Sequence, residues 1–505
     1  HMPQSHPTPL GRHVRQPESE FLRLTSQFDE FAHVGASIGL GDPVGLETGL
    51  GGTHDLGDEG ADPGADLLEF GREAEIDRHV LSLPHTCNRR SLRPMPVVIA
   101  LDAGTTGVRA IAFSHAGLPV ASAYREFPQH FPEPGWVEHD ATEIWDAFVV
   151  VMEQVATELQ QMGESIAAIG ITDQRETIVV WDRSTHQPLH RAIVWQDRRT
   201  AARCEQLERQ GALPLIRSRT GLVLDPYFSG TKLDWLFTTG GVRSDTGVAA
   251  GTIDSWLVWK LTDGASHVTD PSNASRTMLF DIVDGTWSQD LCDLLGVPSH
   301  VLPEVRPSSG RFGLTGASCP FGAGIPISGI AGDQQAALFG QTCFAAGMAK
   351  NTYGTGSFVL MNVGTDCPAP VDGLLTTIAW SLPEADGSGA ITTYAYEGAI
   401  FVTGAAVQWL RDELQIIGSA PEISELASSV PDSDGVVLVP AFAGLGSPWW
   451  DPYARGAVLG ITRGTTRAHL ARATLEAMAM QTRDVVEAMS ASAGHQLSEL
   501  RADGG

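Results

Sequence analysis

The chain of 505 residues carries 60 Asp+Glu against 33 Lys+Arg, a formal net charge of −27, so its long-range field repels nucleic acids and acidic membrane surfaces. Its 42% hydrophobic content is that of a globular protein, and no apolar run reaches the roughly 20 residues needed to span a bilayer. Such a length predicts two or three domains of about 100 to 200 residues each, with a cleft available between them. The six cysteines are scattered, with no CxxC pair and no histidine at zinc-finger spacing, and read as reduced structural thiols. With no basic-then-apolar signal segment, the chain reads as cytoplasmic.

Residues 1–95 are rich in Gly, Pro, His and acidic side chains without sustained periodicity, and read as a disordered leader. None of its glycines sits between a predicted strand and a helix, so a phosphate loop is not expected there. Composition changes at Val97, where the apolar run to Leu101 predicts a buried strand, followed by a turn over 102–107 and a second strand from Val108 to Phe113. A helix is expected to start at Asp140, whose side chain can cap its N-terminus with Glu143 three residues on, and to continue through Ile144, Phe148, Val151 and Val155. Strands and helices alternate from there, which indicates an α/β fold.

A second hairpin, Ala349 to Tyr353 and Ser357 to Met361, centres on Gly354-Thr-Gly356 much as the first centres on Gly104-Thr-Thr-Gly107. The likeness points to two related domains facing each other, 96–345 and 346–505, hinged near Phe344 to Gly347, although two short Gly-Thr turns can also coincide by chance. A helix from Arg467 to Ser492, ending near Gly494, precedes a strand from Leu497 to Ala502. The Asp503-Gly504-Gly505 that follows reads as a βα unit cut before its helix.

Three segments carry chemistry. In Leu101-Asp-Ala-Gly-Thr-Thr-Gly-Val-Arg109 an acid leaves a strand, glycines admit close approach, hydroxyls offer donors and an arginine follows. These residue types suit Mg·ATP, with Asp102 holding Mg²⁺ through water and Thr105, Thr106 and Gly107 around the transferring phosphoryl group. An ordinary glycine-rich hairpin turn has the same composition. In Gly329-Ile-Ala-Gly-Asp333-Gln334 a strand turns tightly into a helix, placing Asp333 at its N-terminus as either a general base for a hydroxyl or a simple capping aspartate. Arg175-Glu176, after the predicted strand Ala168 to Thr172, offers a donor and acceptor pair for adjacent hydroxyls, and Trp195, Tyr227 and Phe358 offer apolar walls. Taken singly, each also fits an ion pair or a core aromatic.

Together with Gly-Trp-Val-Glu-His-Asp140, Ile-Thr-Asp-Gln-Arg-Glu-Thr177, Asp-Pro-Tyr-Phe-Ser-Gly-Thr-Lys232, Asn-Ala-Ser-Arg-Thr-Met-Leu-Phe280, Lys-Asn-Thr-Tyr-Gly-Thr-Gly356 and Trp-Asp-Pro-Tyr-Ala-Arg-Gly456, these segments resemble the FGGY carbohydrate kinases from Val97 to Gly505. The resemblance is greatest to the members that phosphorylate glycerol. It implies two ribonuclease-H-like domains of the actin and hexokinase type flanking a cleft in which ATP, Mg²⁺ and glycerol meet. It also implies that Arg175, Glu176, Trp195, Tyr227, Asp333, Gln334 and Phe358 form the glycerol site, with Asp333 as the base. Thr105, Thr106, Gly107 and Arg109 fall on the first phosphate loop, and Thr355, Gly404, Gln408 and Gly505 on the nucleotide side of the second domain.

Ala103, Gly107 and Asp173 stand where many such kinases have Gln, Ser and Asn, and Phe321-Gly-Ala-Gly324 lacks the arginine with which some bacterial members bind a sugar bisphosphate inhibitor, which puts that regulation in doubt. Family members continue past the Gly-Gly with an adenosine-contacting helix, so this chain is expected to bind ATP more weakly than a longer one. Glycerol and ATP are the expected partners, and a homo-oligomer stays open. The rivals are a family kinase for another alditol or a ketose, and a non-catalytic actin-like nucleotide-binding protein.

Overall fold

The computed structural model describes residues 96–451, 453–494 and 496–504, so the leader expected over 1–95 and Gly505 lie outside the described residues. In the first strand, β1 (Val97–Ala103), the two-residue period buries Val97, Ile99, Leu101 and Ala103 and puts Asp102 on the opposite face. Antiparallel neighbours β2 (Gly107–Phe113) and β3 (Pro119–Glu126) follow.

Helix α1 (Ala141–Met162) buries Ile144, Phe148, Val151, Val155 and Leu159 against that core, the helical spacing that the sequence predicts. Asp140 is its N-cap, accepting the Thr142 N–H at 2.8 Å. Glu143 does not reach back to complete a reciprocal cap. It pairs instead with His130 Nε2 at 2.8 Å, a partner brought in by the preceding loop. Gly163, at φ 73°, ends the helix in the left-handed region where glycine carries no penalty.

Strands β4 (Ile166–Asp173), β5 (Ser309–Leu314) and β6 (Pro326–Gly332) complete a sheet ordered β5–β6–β4–β1–β2–β3. Because β1, β4 and β6 are parallel and in register, Ala103, Asp173 and Gly332 end side by side at one margin of the sheet. The residues that leave those ends are the turn 104–106, Gln174-Arg175-Glu176 and helix α2 (Asp333–Gly340). The carboxyl margin of parallel strands is where α/β sheets present chemistry. Ala192–Ile193, Ile178–Asp182 and Val248–Thr252, which lie between β4 and β5, join Glu138–His139, which precedes α1, in a four-stranded sheet, and the core beside it includes Phe228, Leu233, Met278 and Leu279.

The second half repeats the first. Strands β7 (Met348–Tyr353), β8 (Ser357–Gly364), β9 (Leu375–Pro383) and β10 (Ala390–Ile400) are successively antiparallel in the order β7–β8–β10–β9. After helix α3 (Gly404–Asp412), the long helix α4 (Arg467–Ala493) leads into β11 (Glu499–Gly504), which pairs parallel with β7 as β4 does with β1. α4 buries Val485, Val486 and Met489 on this sheet. The likeness of the two Gly-Thr hairpins therefore extends to hairpin, third strand, long helix and parallel strand. The last strand begins two residues later than its apolar pattern predicts, after Ser498 N–H has bonded to Gly347 O at 2.9 Å.

Among the described residues no helix is long and apolar enough to cross a membrane.

Candidate active site

Where β4 ends, the backbone doubles back so sharply that Thr177 N–H bonds Arg175 O at 2.7 Å and Glu176 adopts φ 62°. That left-handed conformation is costly for a residue with a Cβ. It is held by Ser229 Oγ and Lys232 Nζ, which donate to Glu176 O at 2.9 and 3.3 Å. The turn sends both side chains of the predicted pair inward, where each is almost completely buried.

Their charges are matched from two other segments. Glu397 of β10 accepts Arg175 Nη1 and Nη2 at 2.5 and 3.1 Å, and Arg276 Nη2 at 2.8 Å, while Arg276 Nε donates to Glu176 Oε1 at 2.6 Å. Burial alone would push the Glu397 carboxyl up, but Arg175 and Arg276 outweigh it and hold it at about 2. Arg175 Nε faces Asp333 Oδ1 at 3.4 Å, and Asp333 keeps 40% of its side chain exposed. Asp333 is the first residue of α2, with Gly332 as N-cap, and only its Oδ1 is engaged by the helix start, through the Gln334 N–H at 2.7 Å. A Cβ at Gly332 would sit 2.6 Å from Arg175 Cγ, which is why glycine stands there.

Trp195, Tyr227 and Phe358 meet edge to face, with Trp195 at 5.7 Å from Tyr227 and 6.4 Å from Phe358, the latter contributed by β8 of the second half. Trp195 Nε1 donates to Thr105 Oγ1 at 3.0 Å and so ties this wall to the first turn. The turn is fixed from beneath by Gln174 Nε2 to Gly104 O and Gln129 Nε2 to Thr105 O, both 3.0 Å. Gly107 is required by packing, since a Cβ there would lie 2.5 Å from Tyr124 Oη and 2.8 Å from Arg125 O. Thr106 is exposed, and Arg109 lies over the Tyr124 ring at 5.5 Å. The Asp102 carboxyl is pushed up to about 6 by burial and by Asp333, with Arg109 opposing.

A second group forms around the turn of the β7–β8 hairpin. Thr403 and Ala405 N–H both donate to Thr355 O at 3.0 Å, and Gly404 N–H donates to Gly354 O at 2.9 Å. A Cβ on Gly404 would meet Gly354 O at 2.5 Å, so glycine lets α3 start directly on the turn. Gln408, one turn along α3, is exposed. The structure thus brings Arg175, Glu176, Asp333, Trp195, Tyr227, Phe358 and Thr105 into one contact network with Gln334 beside them, gathers Thr355 and Gly404 in another, and leaves Gly505 outside the described residues.

The model of the FGGY family of carbohydrate kinases, N-terminal domain, matches residues 97–340, and that of the C-terminal domain matches residues 349–505. The chain belongs to the FGGY family of carbohydrate kinases. Similar FGGY proteins include the glycerol kinase of Bordetella parapertussis, 56% identical over 412 residues spanning 81% of this chain and 80% of that one. The glycerol kinase of Trichlorobacter lovleyi is 58% identical over 415 residues, 81% and 82% of the two chains. Among solved structures, Plasmodium falciparum glycerol kinase with ADP superposes with a TM-score of 0.77 at 35% identity, covering 81% of this chain and 82% of that one.

Three residues of this FGGY site are absent from the expected set: Glu397, Arg276 and Lys350, all fully buried. Each had a legible signal, a lone charge inside an otherwise apolar or hydroxyl-rich segment, which must find an opposite charge or a full set of hydrogen bonds.

Asp173 has its own buried partner. Asn273 Nδ2 donates to its Oδ1 at 3.0 Å, whereas Asp173 Oδ2 and Asn273 Oδ1 are both buried without a partner. Burial raises this carboxyl well above the usual range, with Asp254 adding to the rise, Asn273 opposing it, and Asp333 and Asp270 adding further. A proton on Asp173 Oδ2 turns one of these two orphaned acceptors into a donor. Asp173→Asn should therefore gain stability relative to wild type as pH rises above the ordinary carboxylate value of 3.8. The sign follows because a raised carboxyl stabilises the fold while protonated and loses that contribution as pH rises. Melting curves that stay parallel across this range would show that Asp173 does not take up the proton.

Proposed function

We propose that this FGGY kinase transfers the γ-phosphoryl group of ATP to glycerol, giving sn-glycerol 3-phosphate, with Asp333 as general base. The observation that carries the reading is the convergence of the partly exposed Asp333 carboxylate with the Arg175 guanidinium and the Trp195, Tyr227 and Phe358 rings. The identity of 56% and 58% to proteins named glycerol kinase supports it. Arg175 and Glu176, locked by Glu397 and Arg276, offer fixed donors and acceptors to adjacent hydroxyls, while the rings exclude water and cover the C–H face. Asp333 takes the proton of the attacking hydroxyl and aims its oxygen in line.

On the phosphate side, Thr105, Thr106, Gly107 and Arg109 of the first turn and Thr355, Gly404 and Gln408 of the second would hold ATP. A divalent ion fits Asp102. Its raised carboxyl faces the charge of Asp333, a repulsion that a cation relieves. Among the described residues no group of three or more His, Cys, Asp or Glu is suited to a metal, which accords with Mg²⁺ held mainly by nucleotide oxygens and water, with Asp102 reached through water. When bound, the ion supplies positive charge to the transferring phosphoryl oxygens.

A coupled ADP-release assay with glycerol, longer alditols and ketoses tests the reading. Turnover with glycerol at the highest kcat/KM is expected. Preference for another polyol would keep the family chemistry and refute the substrate, and ATP binding without transfer to any of them would favour a non-catalytic nucleotide-binding protein.

A further inference from the structure

β7 holds a lysine where a central strand ordinarily holds an apolar residue. Lys350 is fully buried, between buried Ala349 and Asn351. Taking an ammonium out of water costs several kcal/mol unless its N–H groups are met. Its Nζ donates to Gln334 Oε1 and, at 2.7 Å, to Thr352 Oγ1. Among the described residues no carboxylate comes within ion-pair distance of it. The charges that surround it are Asp503 of β11, Asp333 of α2 and Glu397 of β10, with Arg175 opposing them. Burial prevails and brings the ammonium down to about 8, so at neutral pH it is still protonated.

An ammonium has donors only. The Gln334 atom that it meets must be the carbonyl oxygen, because the flipped amide would set N–H against N–H. Gln334 Nε2 is then the end left for the site, and it has no hydrogen-bond partner among the described residues. Next to it, Asp333 Oδ1 accepts the Gln334 backbone N–H at 2.7 Å. The strand-end therefore presents two adjacent groups of opposite character, a carboxylate that only accepts and an amide edge that only donates.

We propose that Lys350 is a positioning residue for the polyol, holding Gln334 so that its Nε2 is a fixed donor to a hydroxyl oxygen of the bound alcohol. This rests on the polyol-kinase reading and sharpens it, since the substrate must give a proton at Asp333 and offer an oxygen lone pair at Gln334.

The test is calorimetric binding of glycerol to the whole chain in the presence of a non-hydrolysable ATP analogue, for wild type, Lys350→Met, Gln334→Ala and the double variant. Loss of one oriented hydrogen bond predicts glycerol binding about tenfold weaker in Lys350→Met, with the affinity for the ATP analogue unchanged. The double variant should bind glycerol no more weakly than Gln334→Ala alone. Gln334→Glu keeps the shape and pairs with Lys350, so it should fold and still lose glycerol affinity, because the donor is gone. Unchanged glycerol binding in Lys350→Met or Gln334→Glu, or fully additive losses in the double variant, would overturn the proposal. Failure of wild type to bind glycerol while it binds the ATP analogue would instead overturn the polyol reading on which it rests.

Discussion

Glu397→Gln should lower the unfolding free energy by about 3 to 5 kcal/mol, the usual consequence of removing one partner from a buried ion pair. Glu397 is fully buried and accepts from both Arg175 and Arg276, so its loss leaves two guanidinium groups facing Glu176 and the partly exposed Asp333. The effect has a pH signature. Because the folded protein holds this carboxyl at about 2 against an ordinary 4.5, its contribution is complete above the ordinary value and fades as pH falls from about 4.5 towards 2. Wild type should lose stability across that window, and Glu397→Gln should lose less. Urea titrations at pH 7 and pH 3.5 read both effects, and a midpoint at pH 7 equal to that of wild type would mean that the arginines do not depend on Glu397. Alcohol affinity should fall with stability, since Arg175 is aimed by that carboxylate.

Asp333→Asn should reduce kcat by about 10² to 10⁴, the range for loss of a positioned general base. An asparagine can still accept a hydrogen bond from the alcohol, so glycerol affinity should change far less than turnover. The fold should not suffer, because Asp333 is partly exposed and its charge helps to raise Asp102. In the variant Asp102 should titrate below its wild-type value of about 6, moving the acid limb of the residual rate to lower pH. Stopped-time ADP assays from pH 5 to pH 8 would read rate and limb together. A kcat within threefold of wild type would exclude Asp333 as the proton acceptor.

The elements that sequence reasoning placed well are those whose signals are local. The alternating run from Val97, the glycine turns and the apolar stripe of α1 each depend on neighbours a few residues away, and β1 and α1 are found where that pattern puts them. Asp333 and Arg175-Glu176 were also legible, because each directly follows a strand. What local pattern could not supply is the partner. Glu397 lies 222 residues from Arg175, and only the closing of the two halves brings them together, while Arg276, 100 residues from Glu176, reaches it through the folding of the first half. Glu143 shows the converse, a local capping pattern overridden by His130 from a neighbouring loop. The left-handed turn at Glu176 was equally hidden, since nothing about a glutamate favours φ 62° except the Ser229 and Lys232 groups that hold its carbonyl.

Links between the two halves run along the whole seam, from Arg217 Nη1 to Asp372 Oδ1 at 2.5 Å and Tyr394 Oη to Ile282 O at 2.9 Å through the buried charge cluster to Gln341 Nε2 and Asp503 Oδ2 at 2.5 Å. Glu397 clasps Arg175 and Arg276, Ser275 Oγ meets Thr377 Oγ1 at 3.0 Å, and Ser308 exchanges hydrogen bonds with the backbone of Ser381. The turn at 354–356 and the start of α3 bond to each other within the second half. Any swing of one half against the other must therefore strain or break bonds at several separate places. A seam stitched along its length resists rotation about any one point, so the Glu397 clasp shares its load with the outlying stitches and the buried arginines keep their aim when a single outlying stitch is cut.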